Sequence, residues 1–309
     1  MVKHNGNIEA LLDRLDNAQT DEEIYAIGKR LLELDPANPH GKLAVWEAMG
    51  FEDSMANLSM LREALMAIRT IVLNSDEPAF IENDRDSQVY GSIMMNLGYA
   101  LLAEGEMEEA LNVAKELANF DDEGYYPSRT LLYRCMLGLD MYAEILATLE
   151  SDPLESVVGE HARAIAMIEL GEDPQEIREA VAYAISLAPN VPFFVLGIWD
   201  FPDDGDDLDD DVEEVVQYAA YLSEPWTSSD ARLVELSTPT FMFGYLTERL
   251  EDEEEIALLV EGYETAGLKE KVETARAKVK KMIAANEDID EVDAVALGET
   301  EAIIEELMS

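Results

Sequence analysis

The side chains best suited to chemistry are few and scattered. His4, His40 and His161 lie far apart, and none has a second metal-ligating residue at helical spacing, so no zinc site is expected. Cys135 falls inside the apolar stretch "LLYRCMLG", the setting of a buried, inert thiol rather than a nucleophile. The densest group of candidate ligands is "DFPDDGDDLDDDVEE", residues 200 to 214. Setting Gly205 as the glycine of a calcium loop would make Asp200, Asp204 and Asp206 ligands. Pro202 would then take a ligand position and Asp211 would replace the bidentate glutamate, which favours a solvated acidic loop whose last residues cap the next helix. No glycine cluster follows a strand to cradle a phosphate. Carboxylate pairs carry no information, because 68 of 309 residues are Asp or Glu and useful spacings arise by chance. The reading is therefore of a non-catalytic chain, with no catalytic residue, metal site or cofactor assigned.

The same acid excess bounds the partners. Against 68 acidic residues stand 21 Lys and Arg, a formal charge of -47, so direct binding to nucleic acid or to an anionic membrane is not expected. Basic partners, cations and plain solubility remain, as does an acidic surface that imitates nucleic acid to sequester a basic nucleic-acid-binding protein. An enzyme with an unrecognised acidic metal site is the other alternative. The opening "MVKHNGNIEALLDRL" has no apolar signal core, and no run of about 18 apolar residues occurs, so neither secretion nor membrane spanning is expected. A single cysteine fits a reducing cytoplasm.

The elements that would position any site are helical. Apolar residues recur at intervals of three and four, as in Leu97, Leu101 and Leu102, then Ala110, Leu111, Ala114 and Leu117. Only "PFFVLGIW", residues 192 to 199, looks strand-like. Gly105, Gly138 and Gly171 are each 33 residues from the next, and each follows one apolar helix and precedes another. Glycine there supplies a left-handed residue at a helix end and lets a short loop reverse the chain. Within "NLGYALLAEGEMEEAL", Gly98 and Ala110 are small enough for two helix axes to approach closely.

This stretch resembles the tetratricopeptide repeat, whose signature pairs a Leu-Gly on the first helix with a small residue on the second. Ala164 and Ala143 repeat the slots of Gly98 and Ala110, and "YAIGKRLLELDPANPHGKLAVWEAM" suggests an earlier unit in which Asp35, Pro36, Asn38 and Pro39 end one helix and open another. The resemblance implies an all-α fold, an α-solenoid of helical hairpins over residues 1–198, broken by a polar insertion at 74–88. "LAPNVPFFVLGIWDFP" and a later Trp226 are similar to a module of uncharacterised bacterial repeat proteins related to the suppressor-of-tumorigenicity-seven family. Its apolar residues would cover the open end of the stack. The remaining divisions are an acidic loop at 199–214, a C-terminal helical cap at 215–285 and an acidic tail at 286–309 expected to be mobile. Helices are predicted at about 211–222, 228–236, 239–250, 253–265 and 268–284. The last holds Lys269, Lys271, Arg276, Lys278, Lys280 and Lys281, a basic face suited to an acidic surface of this chain or of a second copy.

In tetratricopeptide proteins that grip a peptide's C-terminal carboxylate, Lys, Arg and Asn on the first helices do so. The resemblance places Asn96 and Arg129 in matching slots, Lys42 in the earlier unit, and Tyr99 beside the signature, with side chains free for a partner. Tyr125, Gly41 and Val45 stand where that pattern has basic or amide residues. Met94, Met95 and Met136 could soften such a groove or fill the core. The resulting expectation is a cytoplasmic adaptor that binds a protein or peptide, basic or with a free C-terminus, with self-association left open.

Overall fold

The computed structural model describes residues 2–49, 57–73, 80–82, 84–203 and 208–308, with side chains from Asn7 onward. Among them are sixteen α-helices and no strand. Contacts divide the chain into two compact units, Met1–Cys135 and Met136–Ser309. The first holds α1 (Val2–Leu15), α2 (Asp21–Leu34), α3 (Pro39–Glu47), α4 (Leu58–Val72), α5 (Arg85–Ala103) and α6 (Met107–Phe120). α7 (Ser128–Gly138) begins in the first unit and ends in the second. The second unit continues with α8 (Tyr142–Ser151), α9 (Val157–Leu170), α10 (Pro174–Leu187), α11 (Val191–Val195), α12 (Asp210–Thr227), α13 (Asp230–Thr247), α14 (Glu253–Thr265), α15 (Lys269–Ala284) and α16 (Ile289–Leu307). Among the described residues no helix is long and apolar enough to cross a membrane.

The helix starts follow from local chemistry. Side chains of Thr20, Asn38, Asp84, Ser156 and Asp173 accept backbone N–H groups at the starts of α2, α3, α5, α9 and α10, and Pro39 and Pro174 occupy first positions. The ends share one device. Glu106 N–H donates to the Leu101 carbonyl around a left-handed Gly105 (φ 79°), and Glu172 N–H to Met167 around Gly171 (φ 70°). The middle turn departs from the 33-residue spacing: Gly138 stays in α7, and Asp140 (φ 54°) takes the left-handed position, with Met141 N–H donating to Met136. A short aspartate tolerates that conformation, so the turn slides two residues along the chain.

Glycines also set the helix crossings. A Cβ on Gly28 would lie 2.9 Å from Val45 Cγ2, and one on Gly41 2.9 Å from Leu31 Cβ, so α2 and α3 cross where two glycines face each other. Gly98 is small for a neighbour other than α6. Its Cβ would meet Leu131 Cδ2 of α7 at 2.3 Å, while Val113 of α6 is at 3.5 Å. Met94, Met95 and Met136 are buried and fill the core.

Other expectations need correction. "PFFVLGIW" contributes to the short helix α11, because Phe193 is buried against the Phe243 and Trp199 rings. The two helices predicted over 228–250 are a single α13 that passes through Pro239. The acidic tail is not a loose end: α16 buries Val292, Ala296, Leu297, Ile303 and Ile304 and packs on α13, α15 and α10. Residues 74–79 and 83 of the insertion lie outside the described residues, while its final part, from Arg85, is the first turn of α5.

In the second unit the indole N–H of Trp226 donates to Nδ1 of His161 at 3.2 Å, which leaves the proton on Nε2, a buried atom with no partner. Burial lowers the imidazole to about 3. The unfolded chain then takes up this proton first, so the stability is complete above about pH 6.5 and is lost as pH falls toward 3. Replacing His161 by Gln, which can still accept from the indole but does not titrate, is expected to remove up to about 1.4 kcal/mol per pH unit of that loss. Urea unfolding of both proteins from pH 7 to 4 checks it. Gly98→Ala is expected to lower stability by about 1–3 kcal/mol through the clash with Leu131. Gly262→Ala, in α14 with nothing within 4 Å, should leave it unchanged or raise it by up to about 1 kcal/mol. Thermal unfolding separates the two.

Candidate functional site

The four residues expected to bind a partner all lie in the first unit, on α3, α5 and α7. Lys42 and Arg129 are each only 8% exposed. Lys42 pairs with Glu63 of α4. Arg129 donates from Nη1 to the Asp121 carbonyl at 2.6 Å and to Ser128 Oγ at 3.3 Å. Asn96 donates to Glu47 Oε1 at 2.9 Å, which joins α5 to α3. Tyr99 is half-buried and engaged within the protein. The structure thus brings Asn96 to Glu47 and turns Lys42 and Arg129 toward neighbouring elements. Glu47 remains accessible, yet it is crowded enough that desolvation raises its carboxyl above the ordinary value, against the opposing Asn96 bond.

Arg129 has a visible structural task. Asp121 is fully buried, and its carboxylate accepts the N–H groups of Tyr125 and Tyr126, each at 2.8 Å. The Arg129 guanidinium takes the same residue's carbonyl, so the 121–127 loop is closed at both ends of one aspartate. Phe80 sits among Phe120, Tyr125 and Tyr126 and covers it.

Among the described residues no set of three His, Cys, Asp or Glu could hold a metal ion. His40 bonds Asp86 at 2.7 Å, and the His4 side chain lies outside the described residues. Burial pushes the Cys135 thiol up to about 12, which keeps it protonated and inert. Asp204, Gly205 and Asp206 of the acidic run also lie outside the described residues.

The concavities that sequence reasoning did not foresee are in the second unit. Between α10, α13 and α16 lies a cavity of about 290 Å³ with an apolar floor that includes Val181, Pro239, Leu297 and Ile304. Glu179, Glu235, Glu301 and Glu305 stand around it. Gln175 bridges two of them, its amide donating to Glu179 at 3.0 Å and to Glu305 at 3.4 Å. Arg178 donates to the Gln175 carbonyl oxygen at 2.8 Å, and its buried Nε has no partner. Desolvation raises the Glu301 carboxyl, and the Glu305 and Glu179 charges raise it further. An adjoining groove of about 560 Å³ between α13, α14 and α16 shares Thr238 and Ile304 with the cavity and adds Phe241, Leu258 and Leu307. Leu258 is 70% exposed there. Together they form a trough with an apolar floor and an acidic rim. The residues come from helices more than 100 positions apart, and the one local signal was Pro239 within an apolar helical pattern.

Comparison with family models, with curated proteins and with solved structures found no match to this chain.

Asp121→Ala is expected to speed hydrogen exchange at the Tyr125 and Tyr126 amides by at least tenfold, from loss of charge-assisted bonds of about 1.5–3 kcal/mol each. Arg129→Ala should act in the same direction, read by exchange mass spectrometry over residues 121–127. An unchanged loop in both variants would remove the structural role assigned to Arg129.

Proposed function

We propose that this chain is a non-catalytic, tetratricopeptide-like repeat protein that binds a basic segment of a protein partner. The observation that carries the reading is the acidic-rimmed apolar trough along α16, in a protein of formal charge -47. Apolar contact supplies affinity, while the carboxylates select cationic partners and steer their approach. The repeat reading draws support from packing in the first unit. There α3 touches both α4 and α5, and α5 touches α6, as first helices do when hairpins lie side by side in a solenoid. The free-C-terminus version of the site is less well supported, since Lys42 and Arg129 already hold Glu63 and Asp121.

Three labelled helical peptides test the proposal by fluorescence anisotropy with the full chain. One carries Leu on one face and Lys on the other, the second Leu and Glu, the third Ser and Lys. The Leu/Lys peptide is expected to bind, to weaken about tenfold between low and high salt, and to weaken again in Leu258→Glu. Equal binding of the Ser/Lys peptide would overturn it in favour of an acidic surface read by charge alone. No binding of the Leu/Lys peptide would also overturn it.

A further inference from the structure

We propose that the groove between α13, α14 and α16 receives a basic amphipathic α-helix of a partner protein, and that this helix crosses α14 in close contact at Gly262. The inference deepens the proposed function and rests on that reading for the class of partner. It begins with how little of α14 is buried. Of its 13 residues only Tyr263 is buried, although the helix also carries Ile256, Leu258, Leu259 and Val260. Ile256, Leu259 and Val260 are half-buried, and Leu258 is 70% exposed. A helix this short is marginal in water unless an apolar face is packed. Leu258, Leu259 and Tyr263 line the groove, so the face that α14 leaves partly open is the one turned to it.

Gly262 is a second irregularity on the same face. It lies one turn beyond Leu258, lines the groove, and a Cβ built on it would meet nothing within 4 Å. The helical glycines Gly28, Gly41, Gly91, Gly98 and Gly244 differ: a Cβ on each would lie 2.9 Å or less from a side chain, so packing within the chain requires them. Glycine inside a helix is less stable than alanine, and at Gly262 no such packing demands it. Open space over a helical glycine is not enough to make a site, since Gly298 of α16 is equally open and lines neither concavity. What distinguishes Gly262 is its place, a bare step beside exposed Leu258 on an apolar floor. A helix laid there brings its backbone close to α14 while its apolar side chains pack against Leu258, Phe241 and Leu307.

Charge selects which helix. α14 carries Glu253, Glu254, Glu255, Glu261 and Glu264 and no lysine or arginine, and of these Glu264 meets Lys269. α16, on the other side of the groove, also has no lysine or arginine of its own. Glu255 is part of the groove lining, within reach of a basic side chain at the edge of a bound helix. A helix bearing lysine or arginine along its outer edges complements these walls. An acidic one, such as α14 of a second copy, would meet them with like charge.

Fluorescence anisotropy with the full chain and the labelled Leu/Lys peptide tests the crossing, in the wild type, Gly262→Ala and Gly298→Ala, with thermal unfolding of each. Gly262→Ala is expected to unfold at the same temperature or higher and yet to weaken the peptide about tenfold or more, a combination that a folding defect does not produce. Gly298→Ala should share the unfolding result and bind within about twofold of the wild type. A Leu/Lys peptide with two prolines at its centre, where the helix would be broken, should also bind about tenfold more weakly. Bound Leu/Lys peptide is expected to slow hydrogen exchange over residues 253–265. Unchanged affinity in Gly262→Ala, equal loss in Gly298→Ala, equal binding of the proline peptide or unchanged exchange over 253–265 would each overturn the crossing, while binding to the wild type keeps the proposed function. No binding of the Leu/Lys peptide to the wild type overturns both. A dimer of the free chain in sedimentation that dissociates in Leu258→Glu would put a second copy in the groove and overturn the assignment to a basic partner.

Discussion

Scarcity of positive charge governs how these helices lie together. With 68 carboxylates and 21 basic side chains, each guanidinium decides which acidic surfaces can approach. In the first unit Arg85 reaches from α5 to Asp13 at 2.9 Å and Asp16 at 2.6 Å, at the end of α1. Arg62 and Arg69 tie α4 to Glu109 and Glu116 of α6. Pairs this exposed contribute little one by one, about 0–1 kcal/mol each. The second unit has a stronger hub. Arg249 takes both carboxylate oxygens of Asp293 at 2.7 and 2.8 Å, donates from Nε to Asn190 at 3.0 Å, and stacks over Phe243. Both partners are largely buried, so loss of either would leave a desolvated charge, at a cost of about 3–5 kcal/mol.

The same scarcity shapes the cavity. The basic helix α15 lays Val272, Ala275 and Val279 inward, and its lysines meet α16, Lys271 to Glu306 at 2.8 Å and Lys278 to Glu299 at 2.6 Å. The acidic surface that this helix was suited to is therefore the chain's own C-terminal helix. Glu299 and Glu306 are neutralised on that side. Glu301 and Glu305, on the face toward α10, line the cavity beside Glu179 and Gln175. One helix thus meets lysines on one face and lines the cavity with Glu301 and Glu305 on another.

Local signals were legible and long-range ones were not. Helical periodicity, caps such as Asn38 with Pro39, and the turns at Gly105 and Gly171 could be read from neighbours in sequence. The turn near Gly138 could not, because Asp140 was an equally serviceable left-handed residue two positions on. Gly98 was recognisable as a packing glycine, but its partner Leu131 lies beyond the hairpin that its spacing described. The tail read as loose because its apolar residues are widely spaced among acids, whereas in the packed helix Lys271 and Lys278 of α15 meet Glu306 and Glu299, and Arg249 meets Asp293. Lys42 and Arg129 were placed by family pattern, whereas the groups they hold, the Glu63 carboxylate and the Asp121 backbone carbonyl, are set by this chain's own tertiary contacts.

The cavity was invisible for a further reason: each of its parts is an ordinary residue in its own helix. A helical threonine usually satisfies itself, and a helical proline usually marks a bend, so neither Thr300 nor Pro239 announces a ligand alone. What carries information is their joint position. The Thr300 hydroxyl is buried without a hydrogen-bond partner, and Thr300, Pro239 and Glu179 come from three helices that meet only in the folded chain. Valine at position 300 would avoid a desolvation cost of about 1–3 kcal/mol with no loss of volume. Stability alone therefore does not account for the hydroxyl.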